Sequence, residues 1–182
     1  MIEKLNFYII TGGPGVGKTT LLDELKGRGY RYVPEVARNI IKEQVAMGGD
    51  ALPWADTRKY SDMMLARSVD DFIKYSPEKG LLFFDRGIPD TYGYEVLMKF
   101  DIEKPLADAV SRYRYNPTVF ILPPWQEIYE TDSECKQDFR EAVDTYNVMR
   151  RIYKESGYDP IDVPCLKVSQ RADFVQEMLG IR

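Results

Sequence analysis

The chain contains no histidine among its 182 residues. Ser–His nucleophile pairs, histidine general bases and most zinc sites are thereby excluded. Cysteine is nearly as scarce. Cys135 and Cys165 stand far apart and form no C-x-x-C pair, so a structural disulfide, a redox centre or a thiolate metal site has little support. They read as two lone thiols in a reducing compartment. A surplus of positive charge is missing too. The formal net charge is −4, whereas proteins that bind nucleic acid through its phosphates are usually basic, and no nucleic-acid partner is expected. Long apolar runs are absent: Leu81-Leu82-Phe83-Phe84 and Val119-Phe120-Ile121-Leu122 are typical, far short of the roughly 20 residues that span a bilayer. The N-terminal apolar stretch runs straight into glycines rather than into a signal-peptide layout. These features predict a protein without a membrane span, located in the cytoplasm.

What the chain does contain is an alternation of short apolar segments with amphipathic ones. Residues 5–10, 30–33, 81–84, 118–122 and 159–163 read as strands. The wholly apolar ones suit a parallel sheet covered on both faces. Helical spacing follows from Lys18, over 36–47, from an Asp56 N-cap to about Tyr75, over 90–100, over 106–113 and over 171–179. A further helix, with Phe139, Val143, Tyr146, Met149 and Ile152 on one face, follows the capping-box spacing Thr131-Asp132-Ser133-Glu134. No repeat, low-complexity tract or linker interrupts the pattern. The length is that of one domain, so residues 1–182 are expected to form a single α/β domain around about five parallel strands.

One segment carries specific chemistry. TGGPGVGKTT, residues 11–20, fits G-x-x-x-x-G-K-[ST] and lies between a strand and a helix. In that motif the backbone N–H groups of Gly12, Gly13, Pro14-flanked Gly15, Val16 and Gly17 approach phosphate oxygens, and the helix start at Lys18, Thr19 and Thr20 adds its positive end. Lys18 places a point charge on the β- and γ-phosphates, and the Thr19 hydroxyl reaches Mg²⁺. ATP is the expected donor, and GTP fits the same loop. The motif does not say whether the phosphoryl group goes to water, to a second substrate or nowhere.

Other residues bear on that question. Asp85 ends the strand of LLFFDRG, where an acid in a P-loop protein holds Mg²⁺, directly or through water. Arg86 follows it, at the place where hydrolysing P-loop ATPases commonly carry a water-orienting glutamate. A guanidinium stabilises a transferring phosphoryl or an anionic acceptor but does not orient water as a base, so the site favours transfer over hydrolysis. Glu35, in YVPEVAR, lies just beyond the second strand. Two readings fit it equally: a base for an acceptor hydroxyl, or an exposed acid in the first turn of a helix. Lys136 and Arg140, one turn apart within a charged stretch at 125–140, form a candidate lid over the phosphates, against the alternative of a solvated helix start. Trp54 in ALPWAD and the aromatics of RYRYNP read as core or interface packing in preference to stacking on an acceptor. Arg171 opens the last helix, either near a nucleotide base or on the surface.

The ordered set TGGPGVGKTT, VPEVAR, LPW, FFDRG, RYRYNPTVFILPPW, ETDSECKQDF and RADFV, spread over nearly the whole chain, resembles a family of P-loop ATPases of the AAA-like kinase type. That family is related to the ribosylnicotinamide kinase domain and, more distantly, to deoxynucleoside and thymidylate kinases. The resemblance implies a three-layer α/β/α P-loop NTPase with a five-stranded parallel sheet in the order 2-3-1-4-5 and a lid after the fourth strand. It also places Glu35 and Asp85-Arg86 where deoxynucleoside kinases carry a catalytic glutamate and an acid–arginine pair. Cys135 departs from the basic lid that the resemblance would imply.

The expected function is therefore a small-molecule kinase with MgATP as donor. Lys18, Glu35, Asp85, Arg86 and Arg140 are its catalytic candidates, Thr19 and Asp85 its metal ligands, and a nucleoside-like molecule its acceptor, in a monomer or homodimer. The alternative is a nucleotide-dependent ATPase or GTPase switch that regulates a protein partner. The base-reading N-K-x-D motif of guanine-selective GTPases does not occur, and Asp90-Thr91-Tyr92-Gly93 matches D-x-x-G only away from the strand end. An oligomeric motor has little room for a helical lid domain.

Overall fold

The computed structural model describes residues 1–127 and 139–181. In chain order the elements are β1 (Ile2–Glu3), β2 (Phe7–Gly12), α1 (Lys18–Gly27), β3 (Arg31–Val33), α2 (Val36–Met47), α3 (Thr57–Tyr75) and β4 (Leu82–Asp85). Then come α4 (Ile88–Leu97), α5 (Lys104–Arg112), β5 (Tyr113–Arg114), β6 (Thr118–Leu122), α6 (Phe139–Glu155), β7 (Asp159–Asp162) and α7 (Val168–Met178). The capping-box residues 131–134, and Cys135 and Lys136 of the candidate lid, lie outside the described residues.

Five parallel strands form one sheet in the order β3-β4-β2-β6-β7. Numbered by their appearance in that sheet, this is the 2-3-1-4-5 order. Its central strands β2, β4 and β6 are mostly apolar and buried because both faces are covered. Phe7 and Ile9 of β2 and Phe84 of β4 point into one core with Phe72 of α3, Ile88 of α4 and Tyr153 of α6. Ile10 and Phe83 point the other way, onto Leu21, Leu22 and Leu25 of α1 and Val175 of α7. A strand alternates its side chains between faces, so one four-residue strand serves two cores.

Element boundaries shift for local reasons. Helix α4 starts at Ile88, ahead of the expected Asp90, since Pro89 in a first turn needs no N–H there. Lys99, at φ 58°, stops the chain soon after that helix ends. Asp56 does cap α3, accepting from the Lys59 N–H at 2.9 Å. The ladder pairing β1 with β5 was not anticipated by the pattern; two residues a side are too few to show an alternation. Of the aromatics in RYRYNP, Tyr113 and Tyr115 are core residues, as packing predicted. The register aligns Val33 with Phe84 and Ile10 with Asp85. The carboxyl ends of β3, β4 and β2 therefore stand side by side, the place where parallel sheets of this type collect ligands.

Candidate active site

The first component is built from backbone. Between the end of β2 and the start of α1 the chain turns through Gly15 and Gly17, at φ 70° and 81°, a left-handed conformation that glycine adopts without penalty. Val16 meanwhile buries its side chain in the core and pins the loop. Helix α1 begins at Lys18 with no side-chain cap, which leaves first-turn N–H groups free for an anion. Thr19 and Thr20 are exposed at that end. Lys18 is buried and donates to the Gly13 carbonyl at 3.4 Å. Burial, then the charge of Arg86, lower its pKa; Asp85, Glu35 and Asp90 pull it back up.

The second component is built from side chains that three elements bring together. Glu35 sits at the N-cap of α2. Its Oε1 accepts from Arg86 Nε at 2.7 Å and its Oε2 lies 3.5 Å from Arg38 Nε. Burial alone would raise the Glu35 pKa, but the charges of Arg86 and Lys18 and the Arg86 hydrogen bond hold it down to about 2. Arg86 is itself half-buried. The carboxylates of Glu35, Asp90 and Asp85 outweigh that burial and keep its pKa above the ordinary value. Its backbone lies at φ 71°, a conformation uncommon for a residue with a side chain and typical of functional sites. Asp85 closes β4, 8 % exposed, with its Oδ1 buried and unpartnered among the described residues. Burial pushes its carboxyl pKa up, with Lys18 and Arg86 opposing and Glu35 reinforcing.

Sequence reasoning missed Asp90 as part of this cluster. Its buried carboxylate accepts from Arg86 Nη1 at 3.3 Å, from the Gly87 N–H at 2.8 Å, and from the hydroxyls of Thr11 and Tyr153. It thus joins the strand that enters the phosphate loop, the arginine and α6. The signal available was the i,i+4 spacing from Arg86 to Asp90 at a helix start; Thr11 and Tyr153 left none.

A cavity of about 360 Å³ opens beside this cluster. Pro14, Glu35, Asp85 and Arg86 line it, and so do Tyr60, Met64, Tyr94 and Met149. The side chains of α3 enter it from Tyr60, Met64, Ser68 and Asp71, one face of the helix at steps of four, four and three. Trp54 lines it as well, yet is 66 % exposed, so this tryptophan belongs to the cavity wall rather than to the core.

The remaining sequence candidates lie apart. Arg140 is exposed in the first turn of α6, and no described contact joins it to Glu35, Asp85 or Arg86. Arg171 is buried, against the surface alternative. It donates to the Val16 carbonyl at 3.4 Å, faces the Trp125 ring at 5.9 Å and leaves Nε unpartnered among the described residues. Burial lowers its pKa.

The donor set fits a magnesium ion. The unpartnered Asp85 carboxylate oxygen and the exposed Thr19 hydroxyl are hard oxygen ligands of the type Mg²⁺ takes, one or two from protein and the rest from phosphate and water. Among the described residues no group of three or more carboxylate or cysteine side chains is placed to hold a metal unaided. No described helix is long and apolar enough to cross a membrane.

Comparison with known proteins agrees with this architecture. The sequence model of the AAA domain family matches residues 7–171. No curated protein matches the chain. Among solved structures, the NadR protein in complex with NR superposes with a TM-score of 0.72 at 16 % identity, covering 97 % of this chain and 52 % of that one. The chain thus spans about half the length of NadR. Thymidylate kinase from Ehrlichia chaffeensis gives a TM-score of 0.63 at 16 % identity, with 96 % and 98 % of the two chains covered. Shikimate kinase from Acinetobacter baumannii in complex with shikimate gives 0.57 at 15 % identity, with 97 % and 94 % covered. At these identities the likeness is one of fold.

Proposed function

This chain belongs to the AAA domain family, and on that premise we propose that it is a small-molecule kinase that passes the γ-phosphate of ATP to an alcohol, a nucleoside-like one being the best match. The observation that carries the reading is the cavity beside the phosphate loop, walled by apolar and aromatic side chains and ended by Glu35 and Arg86. A hydrolase needs no second pocket of that size. Support also comes from the kinases that share the fold, one of them solved with shikimate, an alcohol.

In this reading the glycine loop and Lys18 hold the donor phosphates. Mg²⁺, held by Thr19 and Asp85, would neutralise developing charge on the phosphate oxygens. Arg86 is held between Glu35 and Asp90 and lines the cavity beside the loop, where a transferring phosphoryl needs positive charge. Glu35 accepts a hydrogen bond from the acceptor hydroxyl. A carboxylate of such low pKa is a weak base, but it suffices for a proton released late. As the hydroxyl oxygen bonds to phosphorus the proton becomes strongly acidic, and a loose transition state asks for positioning more than for base strength. The acceptor oxygen forms its bond to the γ-phosphorus, the bond to the β–γ bridging oxygen breaks, and ADP leaves with that electron pair.

The test is turnover of ATP carrying a radiolabelled γ-phosphate against a panel of alcohols, with nucleotide-dependent thermal shifts of wild type and Lys18→Ala alongside. Label on an acceptor, absent in Lys18→Ala, is the expected result. Label released only as free phosphate, with no acceptor raising the rate, overturns it. GTP in place of ATP reads the base preference. A candidate lid at 125–140, with Arg140 closing over the phosphates, adds to this reading. It is tested by Arg140→Ala, for which a rise in the ratio of hydrolysis to transfer is expected.

A further inference from the structure

Two arginines stand beside the phosphate loop, and they are held in different ways. Arg86 is paired with Glu35 and Asp90. Arg171, at the end of the first turn of α7, has no ion pair among the described residues, although it is only 5 % exposed. Its Nη1 donates to the Val16 carbonyl at 3.4 Å, its Nε is buried without a partner among the described residues, and the Trp125 ring lies 5.9 Å from the guanidinium carbon. A carbonyl and an aromatic face ease the burial of a cation but do not neutralise it. Burial accordingly pulls the Arg171 pKa down, with the Cys165 thiol as the opposing group. Arginine is almost never fully buried unless it is paired, and a buried charge without a counter-ion costs the folded protein stability. Leaving the pairing to a ligand meets both conditions.

The far side of the Val16 carbonyl points to that ligand. The carbonyl and the Gly17 N–H belong to one peptide unit. Gly17 is the N-cap of α1, and its N–H has no backbone partner among the described residues. A hydrogen bond accepted at one end of a peptide polarises it and strengthens the donor at the other end. Arg171 thus reaches the phosphate side of the loop from behind, through a peptide. Packing fixes the same contact, because Val16 shares a core with Ala172 and Val175 of α7 and with Leu21 and Leu22 of α1. Lys18, next to Gly17, is a second buried cation without an ion pair among the described residues.

Resting on the donor half of the kinase reading, we propose that Arg171 is a positioning residue for the polyphosphate of the donor. It holds the Val16–Gly17 peptide in its anion-accepting orientation, and its charge is balanced only when a polyphosphate occupies the loop. The chemistry it serves is the phosphate chain, not the base.

Tripolyphosphate separates the two, because it carries no base. ATP and tripolyphosphate, each with Mg²⁺, are titrated by calorimetry into wild type, Arg171→Met and Arg171→Lys, and melting curves of the ligand-free proteins are recorded. Arg171→Met is expected to bind both ligands about tenfold more weakly, the scale of one charge-assisted contact. Its ligand-free form is expected to melt no lower than wild type, since an unpaired buried charge has been removed; a residue of purely structural value would lower the melting temperature. Arg171→Lys keeps the charge and a donor and is expected to recover most of the affinity. Weakened ATP with unchanged tripolyphosphate assigns Arg171 to the base and overturns the inference, as does a wild type that takes ATP but not tripolyphosphate. Unchanged affinities, an Arg171→Met chain that melts below wild type, or Arg171→Lys binding as weakly as Arg171→Met also overturn it. All of these leave the kinase reading in place. The expected affinities with label released only to water remove the kinase reading and leave the inference standing. A wild type that binds neither ligand overturns both.

Discussion

The phosphate loop and the Glu35–Arg86–Asp90 cluster stand next to one another and are held in opposite ways. The loop uses backbone: free N–H groups at the start of α1, glycines at positive φ, and one lysine whose nearest polar contact is a carbonyl at 3.4 Å. The cluster uses side chains, charge against charge, with Arg86 fastened at 2.7 and 3.3 Å to acids from α2 and α4. The loop's groups are left wanting an anion, and burial lowers the Lys18 pKa. The cluster has already satisfied most of its charge. One half of the site is destabilised to await a ligand; the other is preorganised.

Four variants and conditions break that contrast, from the largest effect down. Arg86→Ala strands the carboxylates of Glu35 and Asp90, 14 % and 6 % exposed. Stability in urea unfolding should fall by about 3–5 kcal/mol, the usual cost of removing one partner of a buried pair; Arg86→Lys should recover part of it, because an ammonium cannot hold the fork geometry. Acid acts on the same pair. The Glu35 pKa lies near 2 in the folded chain against an ordinary 4.5. Its contribution is therefore full above about 4.5 and lost as pH falls toward 2, on the order of 2–3 kcal/mol. A Glu35→Gln chain should show a flatter acid limb over that window, and an equally steep one would count against the pair. Asp90→Asn replaces an acceptor of four hydrogen bonds by one that accepts fewer, and should cost about 1–2 kcal/mol in melting experiments. It should also weaken transfer through Arg86 rather than ATP binding. Lys18→Ala belongs to the other half. The nucleotide-free protein should unfold within about 1 kcal/mol of wild type, while ATP-dependent stabilisation disappears. A large loss of stability there would mean that the loop, too, is held by charge.

The two halves also differ in how far the sequence disclosed them. Each residue of TGGPGVGKTT was singled out from local pattern, because a phosphate-loop motif is ten consecutive residues, and the structure sets them between a strand and a helix as the motif requires. The wholly apolar strands foretold a parallel sheet for the same reason of locality. Asp85-Arg86 and Glu35 were singled out by their positions after strands, but their mutual pairing was not. Glu35 had read equally well as an exposed helix-start acid, and the register that sets Val33 beside Phe84 is what brings it to Arg86. Asp90 was read only as part of a misplaced D-x-x-G. Its partners Thr11 and Tyr153 are far from it in the chain, and no period in the sequence connects them.

The amino-acid sequence by itself determined the alternation of strands and helices, the phosphate loop and the acid–arginine step at the end of a strand, since each depends on neighbours within a few residues. Tertiary structure alone decided that Arg86 is shared between Glu35 and Asp90, that Trp54 lines a cavity instead of a core, and that Arg171 is buried beside the loop. Each of those facts depends on where separate elements meet, and burial and charge pairing are properties of the meeting rather than of the residue.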